Sequence, residues 1–550
     1  MKSNTDLSSE KRFVFPVQII FVVSPFLVGV YHEWISCIIS IALLIYLFNC
    51  RRVSGKLAVL RSPVMAACTA VVIFFAISPL WAVDKGMAVF GFVKFLPLPL
   101  FCTALAQIDP KSRRKALDTV PICGAVMTVL SFSLSFVPVL QNYLLVSGRL
   151  AGFFQYPNTF AVYLLVGLII TVLGSRPLKY QLSVSAVLIF GLIASGSRTT
   201  FILLAVSVAG YAVFSKNRRL KLSLLSLFIA AAAISALYAF LSGNLDTAGR
   251  FLTSSLTSST FIGRLLYYKD AIPVILKHPL GLGYMGYYYS QGSFQSGVYY
   301  VLNVHNEFLQ ILLDIGWAPF AICVWAAVTS FKKQGILSKA VIGLTLAHCL
   351  LDFDMQFIAM DFLLILAAGL DDTSAVELKR RPHQLFAGMI MCGVCLYFGT
   401  ASCGYYFKNY AVAEIYPAYT RAYIDSITET ADLSEQEKLA NKILKLNRSV
   451  SVAYSVKARA AFSQGDISQM IDNKKRAILL SKYSMEEYVD YADMLKIAIE
   501  LYERSGDQAS ASQCRDRLKE IPLMLQKVKE ETSALAWMID DKPELEWYEE

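Results

Sequence analysis

Apolar runs long enough to cross a bilayer recur through the first 403 residues, and nothing else constrains the fold of this chain as strongly. A spanning helix needs about 20 predominantly apolar residues. Runs of that order cover 13–31, 34–50, 64–81, 87–106, 120–140, 159–174, 182–194, 200–214 and 222–241. They resume at 306–330, 340–351, 357–370 and 385–403. The chain is 56% hydrophobic, above the roughly 45–50% of soluble domains. The reading is an all-α, polytopic membrane helical bundle of about 12–13 transmembrane helices. No secretory cleavage site follows Lys11 and Arg12, so the first run reads as a retained helix. The last runs before and after Asp352 are short and read as two short spans or one broken, partly re-entrant segment.

Positive charge orients such a bundle. Alternate connections carry basic clusters: Arg51, Arg52, Lys56 and Arg61; Lys111, Arg113, Arg114 and Lys115; Arg176 and Lys179. The pattern continues with Lys216, Arg218, Arg219 and Lys221, with Lys332, Lys333 and Lys339, and with Lys379, Arg380 and Arg381. Together with Lys2, Lys11 and Arg12 these mark the cytoplasmic side. The net charge of +10 is thus read as setting orientation, not as binding nucleic acid. All of the 11 cysteines except Cys514 lie in or beside apolar runs and read as small packing residues. That includes the Cys392/Cys395 pair, which sits within a candidate span.

The interval 261–316 breaks the apolar pattern with Arg264, Lys269, Asp270, Lys277, His278, His305 and many tyrosines. It predicts a long extracytoplasmic loop over 242–304, between N-terminal spans at 1–241 and C-terminal spans at 305–403. Arg149, Arg198, Arg250 and Lys85 fall on the same side. Basic residues against the positive-inside bias need a reason, and an anionic ligand supplies one. Arg149 precedes the Pro157-Asn158 turn, with Asn158 a candidate helix N-cap. Arg198 lies in SGSRTT, beside the start of a helix whose free amides favour anions. At helical spacing Arg264 shares a face with Tyr267 and Tyr268. His305 opens a span beside Asn306, where a neutral imidazole is able to accept a proton. The segment around His278 reads as a structural turn. Asp352 and Asp354 have the form of a DxD pair, a weak metal signal. Carboxylates at membrane depth are functional candidates by default, to orient a catalytic group or contact an acceptor.

Residues 404–550 are charged and helical in character. Gly465-Asp466 and Gly506-Asp507 each close an Ala/Tyr-rich helical pattern, as in a short tetratricopeptide-like array. An odd number of spans puts this domain outside the cell, an even number in the cytosol. No phosphate-binding glycine loop, dinucleotide fingerprint or HExxH motif occurs. No soluble region before residue 404 is large enough to bind a nucleotide sugar, so a transferase of this build takes its donor through the membrane.

The ordered segments RLAGFFQYPNTFA, SGSRTTF, GRLLYYKDA, KHPLGLGY and HNEFLQILLDIGW, over about 148–317, resemble the O-antigen ligase superfamily. That superfamily also holds O-antigen polymerases and bacterial protein O-oligosaccharyltransferases. The resemblance implies a multi-pass protein of the bacterial cytoplasmic membrane. It would be a metal-independent, cofactor-free glycosyltransferase working at the outer face. The implied donor is an undecaprenyl diphosphate-linked glycan, and the acceptor a lipid, a growing glycan or a protein. Arg198 and Arg264 match arginines that bind the diphosphate, Arg149 the arginine before the Pro-Asn turn, and His305 the residue that activates the acceptor hydroxyl. Tyr267, Tyr268, Tyr284 and Tyr287–Tyr289 would offer ring faces to sugars, with Asn158 and Asn306 lining the substrate site. Where the family often has tryptophan after the loop arginine, this chain has Tyr267 and Tyr268. The helical tail lies outside the core pattern and is read as a surface for a protein partner. The competing reading is a transporter or flippase of lipid-linked glycans. It places charges at mid-membrane on broken helices and often shows internal repeats, whereas here the charges gather at one face.

Overall fold

The computed structural model describes residues 4–214, 259–379 and 382–547, with Leu222, Leu225, Ser226, Ile229 and Ala233. The expected span at 222–241 lies almost wholly outside the described residues. So do loop positions 242–258 with Arg250, and the basic positions Lys2, Lys216, Arg218, Arg219, Lys221, Arg380 and Arg381.

The described residues are mostly helical. The helices are α1 (Asn4–Val23), α2 (Glu33–Ser54), α3 (Pro63–Ile77), α4 (Lys85–Phe95), α5 (Pro97–Ala106), α6 (Pro110–Leu117), α7 (Val120–Leu134) and α8 (Pro138–Leu144). Next come α9 (Pro157–Leu173), α10 (Leu178–Ser195), α11 (Arg198–Phe214), α12 (Ser259–Lys277), α13 (Gly286–Phe294), α14 (Glu307–Ile315), α15 (Trp317–Lys333), α16 (Ile336–His348), α17 (Ile358–Ala368) and α18 (Pro382–Tyr406). In hydrocarbon a helix satisfies every backbone N–H and C=O within itself, which is why apolar runs take this form. Prolines begin several of the helices, where a missing N–H costs nothing. Ser62 caps α3 and Asp84 caps α4 through bonds to Met65 N and Met87 N.

Among the described residues, six helical segments are long and apolar enough to cross a membrane: Glu33–Ser54, Pro63–Leu80, Lys85–Ala106, Pro110–Leu134, Leu178–Ser195 and Gln384–Tyr406. Five shorter apolar helices join them, among them α9, α16 and α17. The expected span at 306–330 is two helices, α14 and α15, broken at Gly316. That residue has φ +80°, and a Cβ there would lie 2.2 Å from the Pro279 carbonyl oxygen. The pair around Asp352 is indeed short, as α16 and α17.

The basic clusters that are described gather at one end of the bundle. There the 56–60 and 375–379 segments pair as an antiparallel ribbon, Lys56 opposite Lys379. Arg51 donates to the Lys379 carbonyl, and Arg113 to the Gly369 carbonyl. The helices run from this end to the other, where Arg149, Arg198, Arg264 and His305 lie.

The tail also packs at that second end. It comprises short α19 (Tyr410–Ala413), then α20 (Thr420–Glu429), α21 (Leu433–Leu446), α22 (Ser451–Ser463), α23 (Ile467–Leu480), α24 (Met485–Ser505) and α25 (Gln508–Glu531). Asn447 donates to Asp84, Tyr416 to the Gly86 carbonyl and Lys269 to Ser533. A Cβ on Gly292 of α13 would meet the Leu480 carbonyl oxygen at 1.9 Å, so bundle and tail backbones touch there. One apolar core runs from α1 through the bundle into the tail as far as Val456. A second, built on Tyr488, Tyr491 and Leu495, holds the later tail helices.

Candidate functional site

At the end of the bundle opposite the basic ribbon, the chain folds around one carboxylate, Asp352. It lies in the connection between α16 and α17, and its side chain is 1% exposed. An ionised carboxylate offers about four acceptor positions, and four donors occupy them here. Tyr156 OH and the Phe353 N–H donate to Oδ1 at 2.8 and 3.0 Å. Asn158 Nδ2 and Arg264 Nη2 donate to Oδ2 at 2.7 and 3.2 Å. With Oδ1 already filled, His305 Nδ1 stands 3.5 Å away without a hydrogen bond. Burial by itself would raise the Asp352 carboxyl. The His305 imidazole and the Arg264 guanidinium more than offset it and hold the group well below the ordinary carboxylate range.

Each donor arrives from a helix end. Pro157 starts α9, so Tyr156 and Asn158 flank the first residue of that helix. The helix is not capped by the Asn158 side chain as expected, since that amide is spent on Asp352. Arg149 Nη2 donates to Asn158 Oδ1 at 2.6 Å, and its Nε to the Ser195 carbonyl at 2.7 Å. It thereby ties the last residue of α10 to the Asp352 cluster. Arg198 begins α11 three residues further on. It is half-buried, with no hydrogen-bond or ion-pair partner for its guanidinium among the described residues. Arg264 comes from the first turns of α12, with a side chain 17% exposed.

His305 has φ +55°, a backbone state that a non-glycine residue keeps only where its surroundings impose it. Those surroundings are visible. Tyr268 OH donates to the His305 carbonyl at 2.6 Å and to that of Leu350 at 3.2 Å. Asn306 caps α14 by accepting from Leu309 N and also donates to the Leu350 carbonyl. The imidazole is edge-on to Phe353 at 4.9 Å and lies 6.1 Å from the Tyr267 ring.

Behind this layer Asp354 is fully buried. It accepts from Thr159 Oγ1 at 2.7 Å and pairs with His348 Nδ1. The two aspartates thus face different partners and do not converge on one point.

The structure brings Arg149, Asn158, Arg264, Tyr267, Tyr268, His305 and Asn306 together; Arg198 is linked to them through the chain, three residues after Ser195, whose carbonyl Arg149 holds. Tyr284 is elsewhere. It is buried, and its OH donates to Glu33 at 2.6 Å. The expected sugar-facing ring is therefore an interior one; Tyr287 and Tyr289 are buried as well. The sequence offered Asp352 as half of a DxD pair and, equally with Asp354, as a carboxylate to orient a catalytic group or contact an acceptor; it gave no sign of Tyr156.

These features define an integral membrane protein with a cationic site at one end of its apolar helices, built around a buried carboxylate. Residues 183–353, about a third of the chain, match the family model described as O-antigen ligase, which supports a place in the O-antigen ligase superfamily. The matched stretch includes Arg198, Arg264, His305 and Asp352, whereas Arg149, Tyr156 and Asn158 precede it. No curated protein and no solved structure matches the chain.

Proposed function

We propose that this glycosyl-transferring membrane protein moves a glycan from an undecaprenyl diphosphate-linked donor to an acceptor hydroxyl at the outer face of the bacterial cytoplasmic membrane. The observation that carries the reading is the shared Asp352: one carboxylate holds both a guanidinium and the imidazole of a histidine in a strained, pinned backbone.

The chemistry follows from those contacts. Breaking the bond between the anomeric carbon and the diphosphate leaves negative charge on the leaving group. Arg198, whose guanidinium has no protein partner among the described residues, and the open donors of Arg264 stabilise that charge. With Nδ1 turned to Asp352, His305 keeps Nε2 to take the acceptor proton. General-base help of this kind is worth about 10²–10⁴ in rate. As the imidazole becomes charged, Asp352 stabilises it. Arg149 and Asn158 act through Asp352 and are positioning residues. Direct displacement with inversion at the anomeric carbon is the step this arrangement suits.

The positive-inside rule assigns the basic ribbon to the cytoplasm. By that rule the Asp352 cluster and the packed tail lie outside, where the tail is placed to meet an acceptor or a protein partner. The test is to express His305→Ala, Arg198→Ala and Arg264→Ala in a deletion strain, with membrane levels matched, and to resolve the surface glycan on a gel. Loss or shortening of the glycan with accumulation of lipid-linked donor is expected. Wild-type glycan in all three variants would sink the proposal and favour transport.

A further inference from the structure

Between the 288–300 segment and the tail lies a cleft of about 1330 Å³ that the Asp352 cluster does not use. It exceeds the roughly 300–1,000 Å³ of small-ligand pockets, which suits an extended chain more than a single ring. Its walls carry tyrosines from three separate parts of the sequence. Tyr288 and Tyr300 pack at 4.8 Å, and Tyr300 is 70% exposed. Tyr405 lies under the Arg421 guanidinium at 4.7 Å, and Tyr483 comes from the loop after α23.

The cleft reaches the cluster along a row of rings. Tyr299 lines it and packs on Tyr267 at 4.7 Å, and the Tyr267 ring lies 6.1 Å from His305. Asp270 fixes this row by accepting from Tyr299 OH and from Ser296 N. Charge separates the candidate occupants. Lys474 is neutralised on the floor by Glu487 and Asp490, and further acids (Asp425, Glu486, Asp493) outnumber Arg421 and Arg459. Such a surface repels a polyanion. It offers carboxylates to hydroxyl donors and ring faces to the apolar faces of sugars.

We propose that this cleft is a glycan-binding site that holds the saccharide chain running outward from His305, an assignment that rests on the transferase reading. Tyr288 and Tyr300 are its platform, and the tail helices form its far wall.

The test uses the purified full chain in detergent. The probe is end-labelled oligosaccharides released by mild acid from the envelope polysaccharide of the expressing cells, free of lipid and diphosphate. Wild type and His305→Ala should bind the probe alike. Tyr288→Ala/Tyr300→Ala should bind at least tenfold more weakly, and Tyr300→Ala alone several-fold more weakly with an unchanged unfolding temperature. Absence of binding by wild type, or full affinity in the double variant, overturns the assignment. So does preferential binding of a lysine-rich peptide that the tyrosine variants lose, which would give the cleft to a protein. If His305→Ala instead leaves the surface glycan intact, the transferase reading fails whatever the cleft binds.

Discussion

Replacing Asp352 by asparagine keeps the size of the side chain and removes the charge that Arg264 and His305 share. At an effective dielectric near 20, a unit charge 3.2 Å away contributes about 5 kcal/mol, and one at 3.5 Å about the same. The partners' side chains are 17% and 22% exposed, so solvent screening trims these values only in part. Two effects follow. In the resting protein Arg264 loses its partner, and the new amide N–H meets a donor where the carboxylate accepted from one. Breaking a buried pair in this way costs about 3–5 kcal/mol of stability. In the reaction only the charge developed on His305 at the transition state counts. If half of a proton has moved, roughly 2–3 kcal/mol is lost, or about 10²-fold in kcat at 1.36 kcal/mol per decade. The assay is transfer by purified protein with lipid-linked donor and acceptor, with thermal unfolding measured alongside. A folded Asp352→Asn variant with kcat within about threefold of wild type would refute the argument, because the imidazolium would then need no counter-charge. The pH dependence adds a check. A depressed carboxyl stabilises the fold above its unfolded value of about 3.9, and this is lost as pH falls through the folded one. Wild type should therefore lose unfolding temperature below about pH 4 more steeply than Asp352→Asn.

Three further outcomes are expected. Arg198→Ala should raise KM for the donor at least about tenfold without moving the unfolding temperature, since the guanidinium has no partner among the described residues; an unchanged KM would remove Arg198 from the phosphate site. Gly316→Ala should cut the amount of folded protein in membranes, because the methyl would lie 2.2 Å from the Pro279 oxygen at φ +80°; a normal yield would mean that the α14–α15 break is not backbone-limited. Tyr284→Phe should cost about 1–3 kcal/mol by leaving Glu33 short of a buried donor, with transfer kinetics of the folded protein unchanged; a selective rise in KM would restore Tyr284 to the substrate site.

Arg149, Arg264 and His305 were legible in the sequence for one reason: each is a basic residue or imidazole on the side that the charge pattern leaves poor in positive charge. That rule finds cations. It says nothing about the group that gathers them, which here is an acid. Asp352 was visible as half of a DxD pair, a pattern that points toward a metal, and as a carboxylate at membrane depth able to orient a catalytic group, with nothing to choose it over Asp354. The 3₁₀ turn at Asp354–Gln356 instead sends the two carboxylates to different partners. A signal for Asp352 was present all the same. Cations and an imidazole gathered at one end of an apolar bundle require a counter-charge, and Asp352 stands in the short stretch between two apolar runs. Tyr156 carried no charge to betray it and is recognised only through its bond to that acid.

The fold shows the same asymmetry. Apolar length located the helices, but it did not tell a through-going span from α14 and α15. Both halves of that run are equally apolar, and the break is imposed by the approach of the Pro279 carbonyl, 37 residues earlier in the chain. In the tail, helical period revealed which face of each helix is buried, not what buries it; the bundle's core claims the helices up to Val456. The breaks and short helices are also what make the site possible. A continuous helix spends its N–H and C=O groups on itself and presents only side chains. The ends of α9, α10, α14 and α16 supply carbonyls and pinned turns that fix Arg149, His305 and Asp352 in place. A bundle of uniform full-length spans would have met the apolar requirement equally well and would have had no such end-group scaffold at its surface.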